Sequence, residues 1–370
     1  MDELNNYHRT RPVAIWLLAG VFMIMVQVLL GGITRLTGSG LSITDWDPIM
    51  GAIPPLNHQE WVTAFHHYQA TPQYRLVNSD FTLSNFKYIF FWEWFHRLWA
   101  RLLGVVFLIP FIIFLVQKRF SRTMVKPMII LFLLGGLQGL VGWLMVKSGL
   151  VGDNIRVNHF KLAAHFITAM ILLCYTLWFA LSLLVKPAQR TVAPKLHKLT
   201  LGIIVILTIQ LIYGSFMAGL HAALAAHTWP DINGSAIPFG MFRLHPELIN
   251  ITNNAITVQF IHRGLAYLLV VLLFIWWIRA RKTPRSILLR RLCWLPIAVV
   301  LLQVTLGVLT VLQSTVHIPV DLAVAHQFGG MLLLEVMLMM IYLARKNADS
   351  TSSEQAVTPE HRVLTGGGQR

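Results

Sequence analysis

The sequence predicts an all-α polytopic membrane protein with eight transmembrane helices, arranged as two tandem four-helix bundles. The chain of 370 residues is 56% hydrophobic and only 12% charged, which is far more apolar than a soluble globular domain. Eight apolar windows reach the length of about 20 residues that a helix needs to cross a hydrocarbon core of about 30 Å. They cover approximately Val13–Gly32, Phe91–Val116, Pro127–Val146, Asn158–Val185, Leu199–Gly219, Ala255–Ile278, Leu288–Leu312 and Val320–Ala344.

The basic residues indicate how the chain is oriented. The net charge is +15 at pH 7. Placing the N-terminus, the loops after the second, fourth and sixth spans and the C-terminal tail on one side puts 20 of the 30 Lys and Arg residues there. The positive-inside rule assigns that side to the cytoplasm. We therefore expect a multi-pass protein of the bacterial inner membrane with both termini cytoplasmic, and the charge predicts no nucleic-acid partner.

The positions of the two cysteines argue against a disulfide framework, and the N-terminal residues argue against a transit peptide or a cleaved signal. Cys174 and Cys293 lie in or beside apolar spans rather than in outer loops, so we expect packing residues and no disulfide framework. The acidic start Met1–Leu4 lacks the pattern of an organellar transit peptide, and the first apolar run is too long for a cleaved signal. The first helix is expected to remain in the protein.

The second four spans repeat the first four. Matching residues are Gln27 and Gln210, His96 and His262, Gln138 and Gln303, and His165 and His326, separated by 183, 166, 165 and 161 residues. The steady decrease is expected if the second half has shorter outer loops. We predict a tandem repeat with both halves in one orientation. The boundaries are 1–186 for the first half, 187–347 for the second and 348–370 for a disordered cytoplasmic tail.

The first outer loop is long and partly structured. It begins with a Gly-, Ser- and Thr-rich turn over Thr34–Ser42, of a kind that allows a tight reversal. Further along, Trp61, Phe65 and Tyr68 recur at helical spacing. This spacing predicts an amphipathic helix at the membrane interface.

Four histidines recur at repeat-equivalent positions near the outer ends of even-numbered spans: His96, His165, His262 and His326. The second and fourth spans would supply one pair, and the sixth and eighth the other. Two imidazoles facing each other across a helical bundle suit axial ligation of a haem iron. Zinc would require additional Cys, His or carboxylate ligands. The alternative is that these histidines only hydrogen-bond between helices, which is harder to sustain for four matched positions.

The residues around the first histidine of each half differ in one respect. Glu93 precedes His96 by three positions, which places both on one helix face, whereas Gln259 occupies the equivalent place before His262. Of these two side chains, only the carboxylate can exchange protons, so Glu93 is the candidate catalytic residue. Arg97 and Arg263 follow the two histidines; they could bind haem propionates or reach the lipid interface.

The sequence resembles the haem A synthase family over most of its length. The residues that carry the resemblance are the Thr34–Ser42 turn with Trp46, Pro48, Pro54 and Pro55 after it, Glu93–Arg97, His165, Ile261–Arg263 and Ala325–Gln327. Some members have a cysteine pair in the outer loops of each half. This chain has none there, so it resembles the cysteine-free branch of proteobacteria and mitochondria, and a thiol relay is excluded.

The resemblance implies an activity and a role for each site residue. Family members oxidise the C8 methyl group of haem O to a formyl group, giving haem A for terminal oxidases. By this resemblance His262 and His326 would ligate a retained haem b, His96 and His165 would ligate the substrate haem, and Glu93 would be catalytic. It also implies association with haem O synthase and an electron carrier that the sequence does not identify. A homo-oligomer remains open.

Two other classes of protein remain open. A di-haem b electron-transfer subunit would explain the four histidines but gives no reason for the Glu93–Gln259 difference. A transporter would explain the repeat but predicts discontinuous helices and no absorbing cofactor.

Overall fold

The computed structural model describes residues 2–44, 50–283 and 286–345. Trp46 and Pro48, and the tail predicted to be disordered, lie outside these residues. The described chain contains eight helices that are long and apolar enough to cross a membrane, which confirms the predicted all-α polytopic fold. In chain order the helices are α1 (Asp2–Leu36), α2 (His58–Gln69), α3 (Pro72–Val77), α4 (Leu83–Val116), α5 (Arg122–Gly149), α6 (His159–Leu184), α7 (Pro194–Gly219), α8 (Asn250–Asn253), α9 (Ala255–Lys282), α10 (Ile287–Leu292), α11 (Leu295–Gln313) and α12 (Val320–Leu343).

The seventh predicted span consists of two helices rather than one. Helix α10 ends before Cys293, and α11 begins at Leu295 with Pro296 in its first turn. Proline has no backbone N–H and fixes its own φ angle, so it suits the start of a helix and not its interior. The break lies at the end of the span away from the histidines.

The helices of the two halves pack in matching ways. In the first half α1 contacts α4 and α6, and α5 contacts α6. In the second half α7 contacts α9 and α12, and α11 contacts α12. The halves meet where α6 packs against α7 and α12, and where α1 packs against α12. One continuous apolar core, with Leu173, Ile203, Trp276 and Met337 buried at its centre, lies between them.

One contact breaks this correspondence. Helices α9 and α11 pack against each other along the second half, whereas the matching helices α4 and α5 are not among the helix pairs with extended backbone contact. They meet through aromatic rings, with Phe132 4.9 Å from Phe107 and 5.0 Å from Phe111 between ring centroids. Phe107 and Phe111 lie about three and about four turns beyond His96 along α4. The first half is therefore open between α4 and α5 at the level of its histidines.

The helix predicted around Trp61 exists as α2, but its apolar face is covered by protein. Tyr68 is fully buried and stacks on Phe86 of α4 at 5.3 Å, and Trp61 meets Phe90 edge-on at 5.0 Å. The outer end of α4 extends beyond the predicted span to Leu83, capped by Thr82. This extension provides the surface on which α2 packs, so α2 rests on protein rather than on lipid.

A short parallel pair of strands lies at the opposite end of the bundle. β1 (Thr191–Val192) pairs with β2 (Ala344–Arg345). His197 Nδ1 lies 2.7 Å from the carbonyl oxygen of Ala344. These contacts join the start of the second half to the end of its last helix.

Candidate haem-binding site

All four predicted histidines line a single cavity of about 1090 Å³ between the helices. This volume is at the upper end of the range of roughly 300–1,000 Å³ that is typical of small-molecule sites. The cavity extends from the first half, at His96 and His165, into the second half, at His262 and His326. The structure thus brings the four candidate ligands to one continuous interior space.

Each histidine faces a glutamine and a glycine of the neighbouring helix. Gln27 Nε2 lies 3.2 Å from both ring nitrogens of His96 and donates to its carbonyl oxygen. Gln138 Nε2 lies 3.2 Å from His165 Nδ1, and Gln210 Nε2 lies 3.4 Å from His262 Nε2. His326 departs from this pattern, because its Nδ1 lies 3.1 Å from the backbone oxygen of Gln303.

The glycine four residues after each glutamine makes room for the imidazole. A Cβ atom at Gly142 or Gly307 would lie 2.7 Å from Cε1 of His165 or His326. The matching distances are 3.1 Å for Gly31 and 3.4 Å for Gly214. Small residues in membrane helices permit such close approach. The four glutamine–glycine pairs therefore fix where the four rings lie.

The second-half pair has room for one metal ion between its rings. The ring centroids of His262 and His326 are 6.3 Å apart, with the ring planes at 76° to each other. Metal–imidazole bonds are about 2 Å long, so two rings on opposite sides of one metal have centroids about 6 Å apart. His262 Nδ1 is also buried without a hydrogen-bond partner in the described chain. Two neutral imidazoles are the donor set of a six-coordinate haem iron, and these residues fit that group.

Glu93 is buried within a dense network of donors. Its side chain is 3% exposed. One oxygen, Oε2, accepts hydrogen bonds from Ser42 N at 2.7 Å, Ser42 Oγ at 2.8 Å and Ile43 N at 2.9 Å. The other, Oε1, forms an ion pair of 2.6 Å with Arg97. The carboxylate therefore joins the turn after α1 to α4, and it also lines the cavity.

Gln259 contacts the matching loop of the second half as a hydrogen-bond donor, whereas Glu93 is an acceptor. Gln259 is fully buried, and its Nε2 donates to the carbonyl oxygen of Ala226 at 2.7 Å. Ala226 is equivalent to Ile43 by the repeat spacing of 183 residues. An amide donor thus replaces a carboxylate acceptor at matched positions. The Glu93–Gln259 difference in the sequence therefore corresponds to a different hydrogen bond to the outer loop in each half.

The two arginines considered as propionate ligands are both tied to outer loops. Arg97 donates to Glu93 and, at 3.0 Å, to the carbonyl oxygen of Ile43. Arg263 donates to the carbonyl oxygens of Thr228 and Asp231, each at 2.8 Å. Both still line the cavity. Their role toward a propionate stays a prediction.

Other predicted residues fall where the sequence indicated, and one group was missed. Cys174 and Cys293 are both free cysteines, as expected. The group that was missed is Gln27, Gln138, Gln210 and Gln303, which in the sequence served only to mark the repeat. Their regular position four residues before a glycine, once before each histidine, is the signal that could have identified them as contacts of the imidazoles.

The fold and this cavity define a multi-pass helical membrane protein with two pairs of histidines that line one cavity. The chain belongs to the cytochrome oxidase assembly protein family, whose sequence profile matches residues 14–338. It is similar to proteins named heme A synthase from three bacteria. The identity is 41% in Rhodospirillum centenum, over 90% of this chain and 89% of the relative; 39% in Parvibaculum lavamentivorans, over 92% and 96%; and 40% in Nitrosospira multiformis, over 91% and 94%.

Proposed function

We propose that this chain is a haem A synthase, an oxidoreductase that converts the C8 methyl group of haem O to a formyl group. The observation that carries the proposal is the pair of histidine sites in one cavity, with a buried carboxylate beside the first site and an amide beside the second. The relatives named heme A synthase, at about 40% identity over most of both chains, support it. The product, haem A, serves terminal oxidases.

The second half is proposed to hold a retained haem b on His262 and His326. The separation of the two rings supports this assignment, as does the packing of α9 against α11, which closes that side of the bundle. A bis-histidine haem supplies a one-electron redox centre. The described residues of this half place an amide, Gln259, where the first half has Glu93, which suits a cofactor that is kept unchanged.

The first half is proposed to hold the substrate on His96 and His165, because it has an opening through which a porphyrin can exchange. Three glycines along the gap between α4 and α5, Gly104, Gly135 and Gly139, would meet no atom of the described chain within 4 Å if a Cβ were added. Their counterparts by the repeat are valines, at 270, 300 and 304. Val300 is 2% exposed and packs in the core.

This gap suits the particular chemistry of haem O. Haem O carries a long isoprenoid chain that haem b lacks, and such a chain is buried most favourably on apolar surface. The gap is lined by the glycines and by Phe107 and Phe132. An apolar slot beside the histidines would distinguish the substrate from the retained cofactor.

Glu93 is proposed to take up protons during oxidation of the methyl group. Converting a methyl to a formyl group takes one oxygen atom from water, releases protons and passes electrons to the proposed electron carrier, so a proton acceptor in the cavity wall assists the reaction. Arg97 and Ser42 hold the carboxylate in one orientation through three short contacts. Ile43 adds a further backbone donor. Removing the charge while keeping the shape is the direct test of this role.

The test is expression of the full chain in a host that makes haem O but not haem A, followed by haem extraction and mass analysis. The wild type is expected to yield haem A. Glu93→Gln is expected to retain both porphyrins and to yield none, whereas the matched control Gln259→Glu keeps the first site intact and continues to produce haem A. A full haem A yield from Glu93→Gln would refute the catalytic assignment.

A di-haem b electron-transfer subunit is the second candidate, favoured by the glutamine–glycine–histidine arrangement that both halves share. It predicts haem b in both sites and no haem A in any extract. For either candidate we place the chain in the bacterial inner membrane with both termini cytoplasmic, on the distribution of its basic residues. Haem O synthase and an electron carrier are the proposed partners.

A further inference from the structure

A cluster of three basic residues, which we call the seam cluster, lies where the two halves meet at the cavity wall: Arg35 at the end of α1, Arg156 in the loop before α6, and His221 after α7. All three line the cavity. They are close enough that the positive charges of Arg156 and Arg35, after burial itself, lower the pKa of His221 to about 4. The two guanidinium groups create a local positive potential in this space, and the neutral imidazole of His221 adds a hydrogen-bonding group.

The seam cluster has no carboxylate of its own to balance it. Glu93 is the one acidic residue among the described residues that line the cavity, and it is paired with Arg97. Neither Arg35 nor Arg156 forms an ion pair within the part of the chain that the structure describes. Arg156 is exposed, but Arg35 is partly buried, and a charge that is taken out of water without a partner is costly. This cost is relieved if an anion binds from the cavity.

The geometry leaves donors free to bind such an anion. Arg35 uses one nitrogen to donate to the carbonyl oxygen of Ala218, at 3.1 Å. A guanidinium has five N–H donors, so most of those of Arg35 remain available. His221 Nδ1 is buried without a partner among the described residues. The residue also adopts a left-handed backbone with φ of 52°, which is uncommon outside glycine and indicates a position held by its surroundings.

The internal repeat does not duplicate the three residues of the seam cluster. The positions equivalent to Arg35, Arg156 and His221 are Ala218, His317 and Gly38. Gly38 has the same left-handed backbone, with φ of 67°. The turn is therefore retained in both halves, while a histidine replaces glycine in one of them despite the conformational cost. The seam cluster is an addition to the duplicated framework rather than part of it.

We propose that Arg35, Arg156 and His221 bind a propionate carboxylate of an iron porphyrin in the cavity. The inference rests on the proposed function, because it takes the porphyrin as the ligand. Guanidinium groups bind carboxylates in a bidentate manner, and a porphyrin held by the histidines of either half carries two such carboxylates. The substrate haem and the retained haem are the two sources, and the experiment below separates them.

The test uses the full chain in lipid nanodiscs, prepared from haem-depleted cells and titrated with haemin and with haemin dimethyl ester, whose propionates are neutral. The Soret band reports the Kd of each. Arg35→Gln and Arg156→Gln are expected to weaken haemin binding by at least about tenfold, as for a lost charged hydrogen bond, and to leave the Kd of the ester within about twofold. The arginine control is Arg243→Gln, since Arg243 is outside the cavity wall and lies over Phe239.

The outcomes distinguish the inference from the function on which it rests. Equal weakening of haemin and its ester, or no weakening in both arginine variants, would overturn the seam cluster as a carboxylate site while leaving the proposed function standing. Failure of the wild type to bind haemin would overturn the proposed function itself. Repeating the titrations with His96→Ala and with His262→Ala shows which porphyrin depends on the cluster. If Arg35→Gln does not fold, the Arg156→Gln variant still provides the test.

Discussion

Glu93 and Ser42 are joined by two hydrogen bonds, because one carboxylate oxygen accepts from both the backbone N–H and the hydroxyl of Ser42, at 2.7 and 2.8 Å. The two residues are 51 positions apart and belong to different elements. This contact fixes the turn after α1 against α4 beside the first histidine. The carboxylate thus has a structural task as well as its proposed chemical one.

Ser42→Ala is predicted to lower stability without removing porphyrin. The substitution deletes the hydroxyl donor and leaves both backbone donors to Glu93, so the expected loss is about 1–3 kcal/mol, the range for a hydrogen bond to a charged group. Thermal unfolding in nanodiscs measures it. Ser182→Ala is the control, since the Ser182 hydroxyl bonds within its own helix. A Ser42→Ala midpoint equal to that of the control would show that the contact contributes nothing.

The glycines beside the histidines provide site-specific predictions. Gly307→Ala is expected to displace His326 and to release the retained haem, while Gly142→Ala displaces His165 and acts on the substrate site. The expected cost is about 1–3 kcal/mol per variant, as for overpacking. Haem content after purification measures the first effect and haem A yield the second. Gly202→Ala is the control, since a Cβ there meets no described atom within 4 Å.

The Gly307→Ala and Gly142→Ala variants are also expected to differ in which porphyrin they affect. Loss of retained haem from Gly142→Ala, with Gly307→Ala unaffected, would reverse the proposed roles of the halves. Normal haem content and yield in both would mean that the imidazoles tolerate the added methyl group.

Closing the gap between α4 and α5 is predicted to block substrate use. The double variant Gly135→Val and Gly139→Val gives the first half the residues that the second half carries at positions 300 and 304. Haem A yield is expected to fall by at least about tenfold, equivalent to about 1.4 kcal/mol, because the isoprenoid chain loses its space. The retained haem should stay. Gly202→Val is the matched control. An unchanged haem A yield in the double variant would show that substrate use does not depend on the gap.

The low pKa of His221 predicts an acid-dependent loss of stability in the haem-depleted protein. Its pKa in the folded protein is about 4, below the ordinary value of 6.5, so between these pH values the unfolded chain binds a proton that the folded chain does not. Stability is therefore retained above about pH 6.5 and falls as the pH is lowered toward 4. His221→Gln should reduce that fall. Identical pH profiles of the unfolding midpoint in the two proteins would contradict the prediction.

Sequence patterns predicted the spans well because spans depend on local properties, and the internal repeat singled out four histidines that line one cavity, whose role as ligands stays a prediction. Span length and hydropathy follow from neighbouring residues, and the histidines were marked by the internal repeat. The partners of Glu93 could not be predicted, since Ser42 reaches it across a long outer loop. The gap between α4 and α5 was also not predicted, although the glycine-to-valine difference at positions 135 and 300 was present in the sequence. The effect of this glycine-to-valine difference depends on the packing of α4 against α5 and of α9 against α11, which the sequence alone does not give.

Haem content of purified His96→Ala and His262→Ala, each compared with wild type, tests the central claim that two histidine pairs hold two porphyrins with different fates. The account predicts that wild type and His96→Ala both retain haem b, that His262→Ala loses it, and that His96→Ala yields no haem A from haem O. Retention of haem b in His262→Ala together with its loss in His96→Ala would contradict the account.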